Sequence, residues 1–214
     1  MQVPIPTPIL RLIHIDNLQI YLQRRGLHAP NREPNNGLIY RTIHNIDIQL
    51  NRRIRRILLG PQGVIHDYVA YYFGPRSPML FQLHTGRVEG YLEGQEPLIY
   101  LVSTAQAVQE SGTGFVFSNG HGIVHYTDWF YNLNDLDKVD WETVYGKIWL
   151  NTVEDMDRQR RKQAEFMVYQ FCDWSLIHRI AVINETVKSR VETILQGFPA
   201  DLHKPVEIRR EWYY

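Results

Sequence analysis

Apolar and polar positions alternate through residues 8–14, PILRLIH, a period of two that predicts a strand. Asp16 then stands as an N-cap for a helix over 17–25, with Gly26 as its stop. The run 28–37, HAPNREPNNG, is polar and turn-forming, a surface loop able to order over a ligand. Residues 38–43 read as a strand. The run IDIQLNRRIRRILL that follows reads as a helix, with Ile48, Leu50, Ile54, Ile57 and Leu58 on an apolar side and Arg52, Arg53, Arg55 and Arg56 projecting away from it. Further strands are predicted at 79–83, 98–102, 115–117, 177–183 and 206–208, and a helix at 185–196 between Asn184 as cap and Gly197 as stop. From Gln163 the two-residue period returns. Ala164, Phe166, Val168 and Gln170 point one way; Glu165, Met167, Tyr169 and Phe171 point the other. The sum is an α+β chain of many short strands and few helices.

A chain of 214 residues that is 44% apolar can bury one substantial core, and no Gly/Ser-rich linker divides it, so a single domain over 1–214 is expected. Its formal net charge is zero, so an anionic partner would have to be held by local basic patches and not by a global field. Cys172 is the one cysteine, which excludes an internal disulfide and fits a reducing compartment. No apolar run approaches the roughly 20 residues of a membrane span, and nothing resembles a signal peptide, so a soluble, cytoplasmic protein is expected, by default a monomer.

The chemistry concentrates in 158–171, RQRRKQAEFMVYQF, where one carboxylate, Glu165, stands between a cationic run and an apolar strand. On its residues alone Glu165 is either solvated and paired with a neighbouring arginine or a group that grips a ligand. His121 and His125, four apart, and the acids Asp135, Asp137 and Asp140 raise a metal site. Without HExxH or a third ligand at a recognisable spacing, the acids read better as caps and turns. Four arginines within 52–56 repel one another unless an anion such as a pyrophosphate or a nucleic-acid backbone lies opposite.

Several segments together resemble the DarT family of DNA ADP-ribosyltransferase toxins: HIDNL at 14–18, NRRIRR at 51–56, HDYVAYYFGPRSPML at 66–80, LNDLDKVDWE at 133–142 and DRQRRKQAEFMVYQF at 157–171. The resemblance implies an ADP-ribosyltransferase-like fold, two packed central sheets forming an NAD cleft with short flanking helices. It implies transfer of ADP-ribose from NAD to thymine N3 in single-stranded DNA, in a sequence-dependent manner, with release of nicotinamide and without a metal.

By the same resemblance Glu165 is the catalytic glutamate, and one of Arg52 and Arg53, with Arg53 favoured, is the second catalytic position. His14, Asn17, Arg11, Arg53, Tyr72 and Ser77 become candidates for holding NAD; relatives carry a histidine three positions before His14, where this chain has Arg11. The acceptor loop corresponds to about 131–162, with Trp141, Tyr145 and Trp149 as stacking surfaces and Arg158, Arg160, Arg161 and Lys162 as phosphate contacts. The implied partner is an antitoxin that removes ADP-ribose from DNA or blocks the cleft. Transfer to guanine, RNA or protein stays open, since the glutamate serves any acceptor, as does a non-catalytic nucleic-acid-binding domain.

Overall fold

The computed structural model describes residues 1–214. In chain order the elements are β1 (Pro8–His14), α1 (Leu18–Gln23), β2 (Gly26–His28), α2 (Ile46–Ile54), β3 (Arg56–Ile57), β4 (Gly63–Val64), β5 (Tyr68–Tyr72), α3 (Pro78–His84), β6 (Leu98–Thr104), α4 (Ala105–Glu110), β7 (Phe115–Ser118), β8 (Trp129–Phe130), α5 (Trp141–Tyr145), α6 (Arg158–Lys162), β9 (Glu165–Tyr169), β10 (Phe171–Asp173), β11 (Arg179–Val182), α7 (Glu185–Gln196) and β12 (Val206–Ile208). The α+β class is as expected. No helix is long and apolar enough to cross a membrane.

Eight strands hydrogen-bond in the order β12-β11-β6-β1-β5-β9-β7-β8, with β10-β2 and β3-β4 as separate ribbons. β1 and β6 pair along seven positions, and β5 and β9 along five, but β1 and β5 share only Leu10 opposite Tyr72. The two sheets of the expectation are therefore the two halves of one run, β12-β11-β6-β1 and β5-β9-β7-β8, joined at that pair and diverging on either side of it. Arg11 spans the divergence, its Nη1 donating to the Ala70 carbonyl at 2.8 Å.

Strand alternation decides what is buried. Ala164, Phe166 and Val168 belong to the main cluster of 46 buried apolar residues, which draws on the chain from Ile9 to Tyr213. Met167 faces the other way, into a small cluster with Ile57, Ile65, Tyr68 and Val116. Glu165 shares the Met167 side at the start of β9, opposite Tyr72.

Local readings were corrected at four places. The chain at 38–43 is irregular and not a strand, because it spans the mouth of a cavity instead of joining a sheet. Residues 79–83 are helical: Ser77 accepts the Leu80 N–H at 3.2 Å as N-cap and Pro78 occupies the first turn, a start signal that outweighs the apolar run. His14, not Asp16, caps the turn after β1, its Nδ1 accepting the Asp16 N–H. In α2 the inward face carries Arg52, whereas Leu50 and Ile54 are 58% and 74% exposed. The helix is turned by an ion pair and not by its isoleucines.

Candidate active site

A cavity of about 630 Å³ lies between α2, the 28–45 segment, β1, β5 and the start of β9. Glu165 sits in its wall, 3% exposed. Its Oε1 accepts from Arg52 Nη1 at 2.7 Å and its Oε2 from the Gly122 N–H at 3.2 Å, so a different group holds each carboxylate oxygen. Its own N–H donates to Ser118 Oγ at 3.2 Å, and that hydroxyl donates to the Gly120 carbonyl at 2.7 Å. The carboxylate is thus clamped from α2 and from the loop after β7, while β7 itself holds the residue by its backbone. Two such charge-assisted bonds make an ionised carboxylate tolerable in a buried wall.

The 119–128 loop that supplies Gly122 is itself stapled. Arg160 makes a bidentate pair with Asp157, both bonds 2.7 Å, and its Nη1 reaches Asn119 Oδ1 at 3.1 Å and Thr127 Oγ1 at 3.3 Å, while its backbone carbonyl accepts the His121 N–H. A Cβ on Gly120 would lie 2.2 Å from that guanidinium, and one on Gly122 would lie 2.9 Å from Glu165 Oε2 and 3.0 Å from Trp129. Neither glycine needs an unusual backbone angle; close approach explains both.

Of the proposed NAD contacts, Arg11, Asn17 and Tyr72 line the cavity together with Arg52. Asn17 spends both ends of its amide on Arg41, donating to its carbonyl at 2.9 Å and accepting its N–H at 2.7 Å, which holds the 38–45 segment across the cavity. Burial and the Glu165 charge raise the Tyr72 phenol above its ordinary range, so it stays neutral. Arg53 is exposed and outside the cavity; Arg52, not the favoured Arg53, meets Glu165. His14 is buried behind the wall between Asp16, Glu93 and Tyr91, and Ser77 is occupied as a helix cap.

The residues expected to meet DNA are mostly committed inside. Trp141 is buried against Phe73 with its N–H on the Leu136 carbonyl at 2.7 Å, and Tyr145 stacks on it. Trp149 packs on Phe81 and donates to Tyr214. Arg158 pairs with Asp155, and Arg161 with Asp140 and Asp155. Lys162, 4% exposed, donates to the Val144 and Gly146 carbonyls, and burial with Arg76 nearby lowers its pKa to about 8. The cationic run is a structural hub, because acids at 140, 155 and 157 fold back on it.

Sequence reasoning passed over Gly122 and Ser118 as site residues and weighed His121 only as a metal ligand. His121 lines the cavity, and burial, reinforced by Arg52, lowers its pKa against the pull of Glu165, so the ring stays neutral. The one available signal was the SNGHG turn, whose glycines permit close approach. No three His, Cys, Asp or Glu side chains are grouped to hold a metal ion.

The family model for DarT, described as an ssDNA thymidine ADP-ribosyltransferase, matches residues 10–214. A DNA ADP-ribosyl transferase of Thermus aquaticus is 41% identical over 214 residues, 99% of this chain and 90% of that protein. Thermus sp. 2.9 DarT in complex with ADP-ribosylated ssDNA superposes with a TM-score of 0.93 at 41% identity over 100% of this chain and 99% of the other. The same Thermus protein in complex with NAD+ superposes with a TM-score of 0.89 at 40% identity over the whole of both chains. By family model, sequence and fold together, the chain belongs to the DarT family.

Proposed function

We propose that this chain transfers ADP-ribose from NAD to ring N3 of thymine in single-stranded DNA, in a sequence-dependent manner, and releases nicotinamide. The observation that carries this reading is Glu165, held at one oxygen by Arg52 and at the other by Gly122, in a cavity of nucleotide-binding size. The likeness to DarT bound to NAD+ and to ADP-ribosylated ssDNA supports both substrates.

The glycosidic bond between ribose C1′ and nicotinamide breaks with its electron pair leaving on nicotinamide. Glu165 accepts a hydrogen bond from the ribose 2′-hydroxyl and stabilises the positive charge that develops on the sugar, a preorganised electrostatic effect worth several kcal/mol. Thymine N3 then supplies the pair for the new bond to C1′ and loses its proton. Neutral His121, in the cavity wall, is suited to take that proton. Arg52 holds and orients the Glu165 carboxylate, and Arg11, Asn17 and Tyr72 shape the NAD side. A duplex hides thymine N3 in pairing, so a single strand is preferred.

With NAD and DNA as substrates, the reaction is cytoplasmic, and its partner is an antitoxin that removes ADP-ribose from DNA; the catalytic unit is a monomer. Labelled NAD offered with single-stranded DNA, RNA or cell protein tests the reading. Label on thymine-containing oligonucleotides, lost when thymine is replaced, is expected; label on protein alone overturns it.

A further inference from the structure

A second depression of about 650 Å³ opens between the β3–β4 hairpin and the loop leading to β8, outside the Glu165 cavity. Its floor is Trp129 and Phe130 on β8, the outermost strand of the sheet, and Leu58 and Leu59 of the hairpin form one wall. Arg55, Arg56 and Lys138 bring three cations to it against the single carboxylate of Asp128, which accepts from Asn119 at 2.9 Å. Arg56 is exposed and makes no ion pair or side-chain hydrogen bond, and Lys138 reaches only Asp137, on the open surface. The α6 cations, by contrast, are all spent on acids or backbone carbonyls of the fold.

The depression and the cavity share a wall. Arg55 donates from Nε to the Gly122 carbonyl at 3.4 Å and from Nη2 to the His125 carbonyl at 3.2 Å, and the indole edge of Trp129 abuts Gly122, whose N–H holds Glu165. A chain with a base at Glu165 meets this groove at its next step. Indole and phenyl surfaces beside the unpaired Arg56 and beside Lys138, held only by a surface carboxylate, offer a single strand base faces to stack on and charges for its phosphates.

We propose that this groove carries the single-stranded DNA next to the target nucleotide, with Arg56 and Lys138 on its phosphates and Trp129 and Phe130 against its bases. This rests on the DNA reading above. The test compares the full chain with an Arg56→Glu/Lys138→Glu double variant, measuring the DNA KM for a thymine-containing oligonucleotide across a salt series. A Lys188→Glu/Arg190→Glu variant of α7 makes the same change of charge elsewhere. The groove variant is expected to raise the DNA KM about tenfold or more and to flatten its salt dependence by roughly one to two ions, while the α7 variant does neither. Equal KM and equal salt slope in the groove variant, with DNA still modified by the unaltered chain, would overturn the groove and leave the DNA reading standing. Failure of the unaltered chain to label any DNA removes both.

Discussion

Arg52 Nη1 stands 2.7 Å from Glu165 Oε1, joining residues 113 positions apart in the chain within the wall of one cavity. Both side chains are nearly shielded from water, so each is the other's main compensation. Arg52→Ala leaves Glu165 with only the Gly122 N–H and is expected to cost roughly 3–5 kcal/mol of stability together with most activity. Glu165→Gln keeps a near-isosteric group but no charge for the developing cation, and should cost on the order of 10²-fold or more in nicotinamide release. Chemical denaturation of both variants beside a nicotinamide assay checks the pair. Full turnover by Glu165→Gln would sink the mechanism.

Gly122→Ala isolates the second carboxylate contact. Gly122 has an ordinary backbone angle, so the added methyl acts by crowding alone, at 2.9 Å from Oε2 and 3.0 Å from Trp129. Turnover should fall at least tenfold, equivalent to about 1.4 kcal/mol of barrier, with the thermal midpoint lowered only modestly. An alanine variant with unchanged kcat would show that the Gly122 N–H has no part in orienting Glu165.

Arg160 acts at one remove, through the loop that presents Gly122. Arg160→Lys keeps the charge but loses the two-pronged grip on Asp157 and the reach to Asn119 and Thr127. The expected signature is a lower kcat with the KM for NAD nearly constant, because the NAD side of the cavity is built from other elements. A rise in the KM for NAD with kcat unchanged would instead mark Arg160 as a ligand contact.

Asn17 holds the strap across the cavity by its two bonds to Arg41. Asn17→Leu keeps the volume and removes both, so the 38–45 segment loosens and the KM for NAD rises severalfold. Isothermal titration with NAD reads this directly, and an unaltered affinity would dismiss the strap.

Lys162 gives stability a pH dependence of known sign. Its pKa is about 8 in the folded chain against 10.5 for the free side chain, so between these values the unfolded chain holds a proton that the folded chain has lost. Its contribution to stability is therefore full above pH 10.5 and is lost as pH falls through about 8. Lys162→Met lacks this gain. Denaturation midpoints of the two proteins at pH 7.5 to 10.5 should diverge toward the alkaline end, with the wild-type chain rising relative to the variant; parallel curves would contradict it.

β1, β9 with its two faces and α7 with both ends were legible from the residues, because period, cap and stop signals agreed with the fold. Glu165 stood out as the carboxylate to be explained, but its residues alone left it between a solvated partner of an arginine and a group that grips a ligand. Legibility failed where a distant partner overrode the local pattern. α2 is rotated because Arg52 seeks Glu165, and Leu50 and Ile54 are left outside, which no helical wheel shows. The run 158–162 reads as a phosphate-binding patch until Asp140, Asp155 and Asp157 are seen to fold back on it. Trp141 and Trp149 carry the same surface whether they stack on a base or on Phe73 and Phe81, and only the fold decides. Gly122 acts through its backbone, which carries no side-chain signal.

The single rung between Leu10 and Tyr72 is the thinnest joint in the run of eight strands. Prising β5 from β9 would undo five paired positions, and β1 from β6 seven, whereas spreading the jaws on either side of that rung leaves both ladders whole. The wall that carries Glu165 is thus fastened to the β1 half of the sheet by one rung and the Arg11 bridge, so the shape of the cavity hangs on a joint far thinner than the ladders on either side of it.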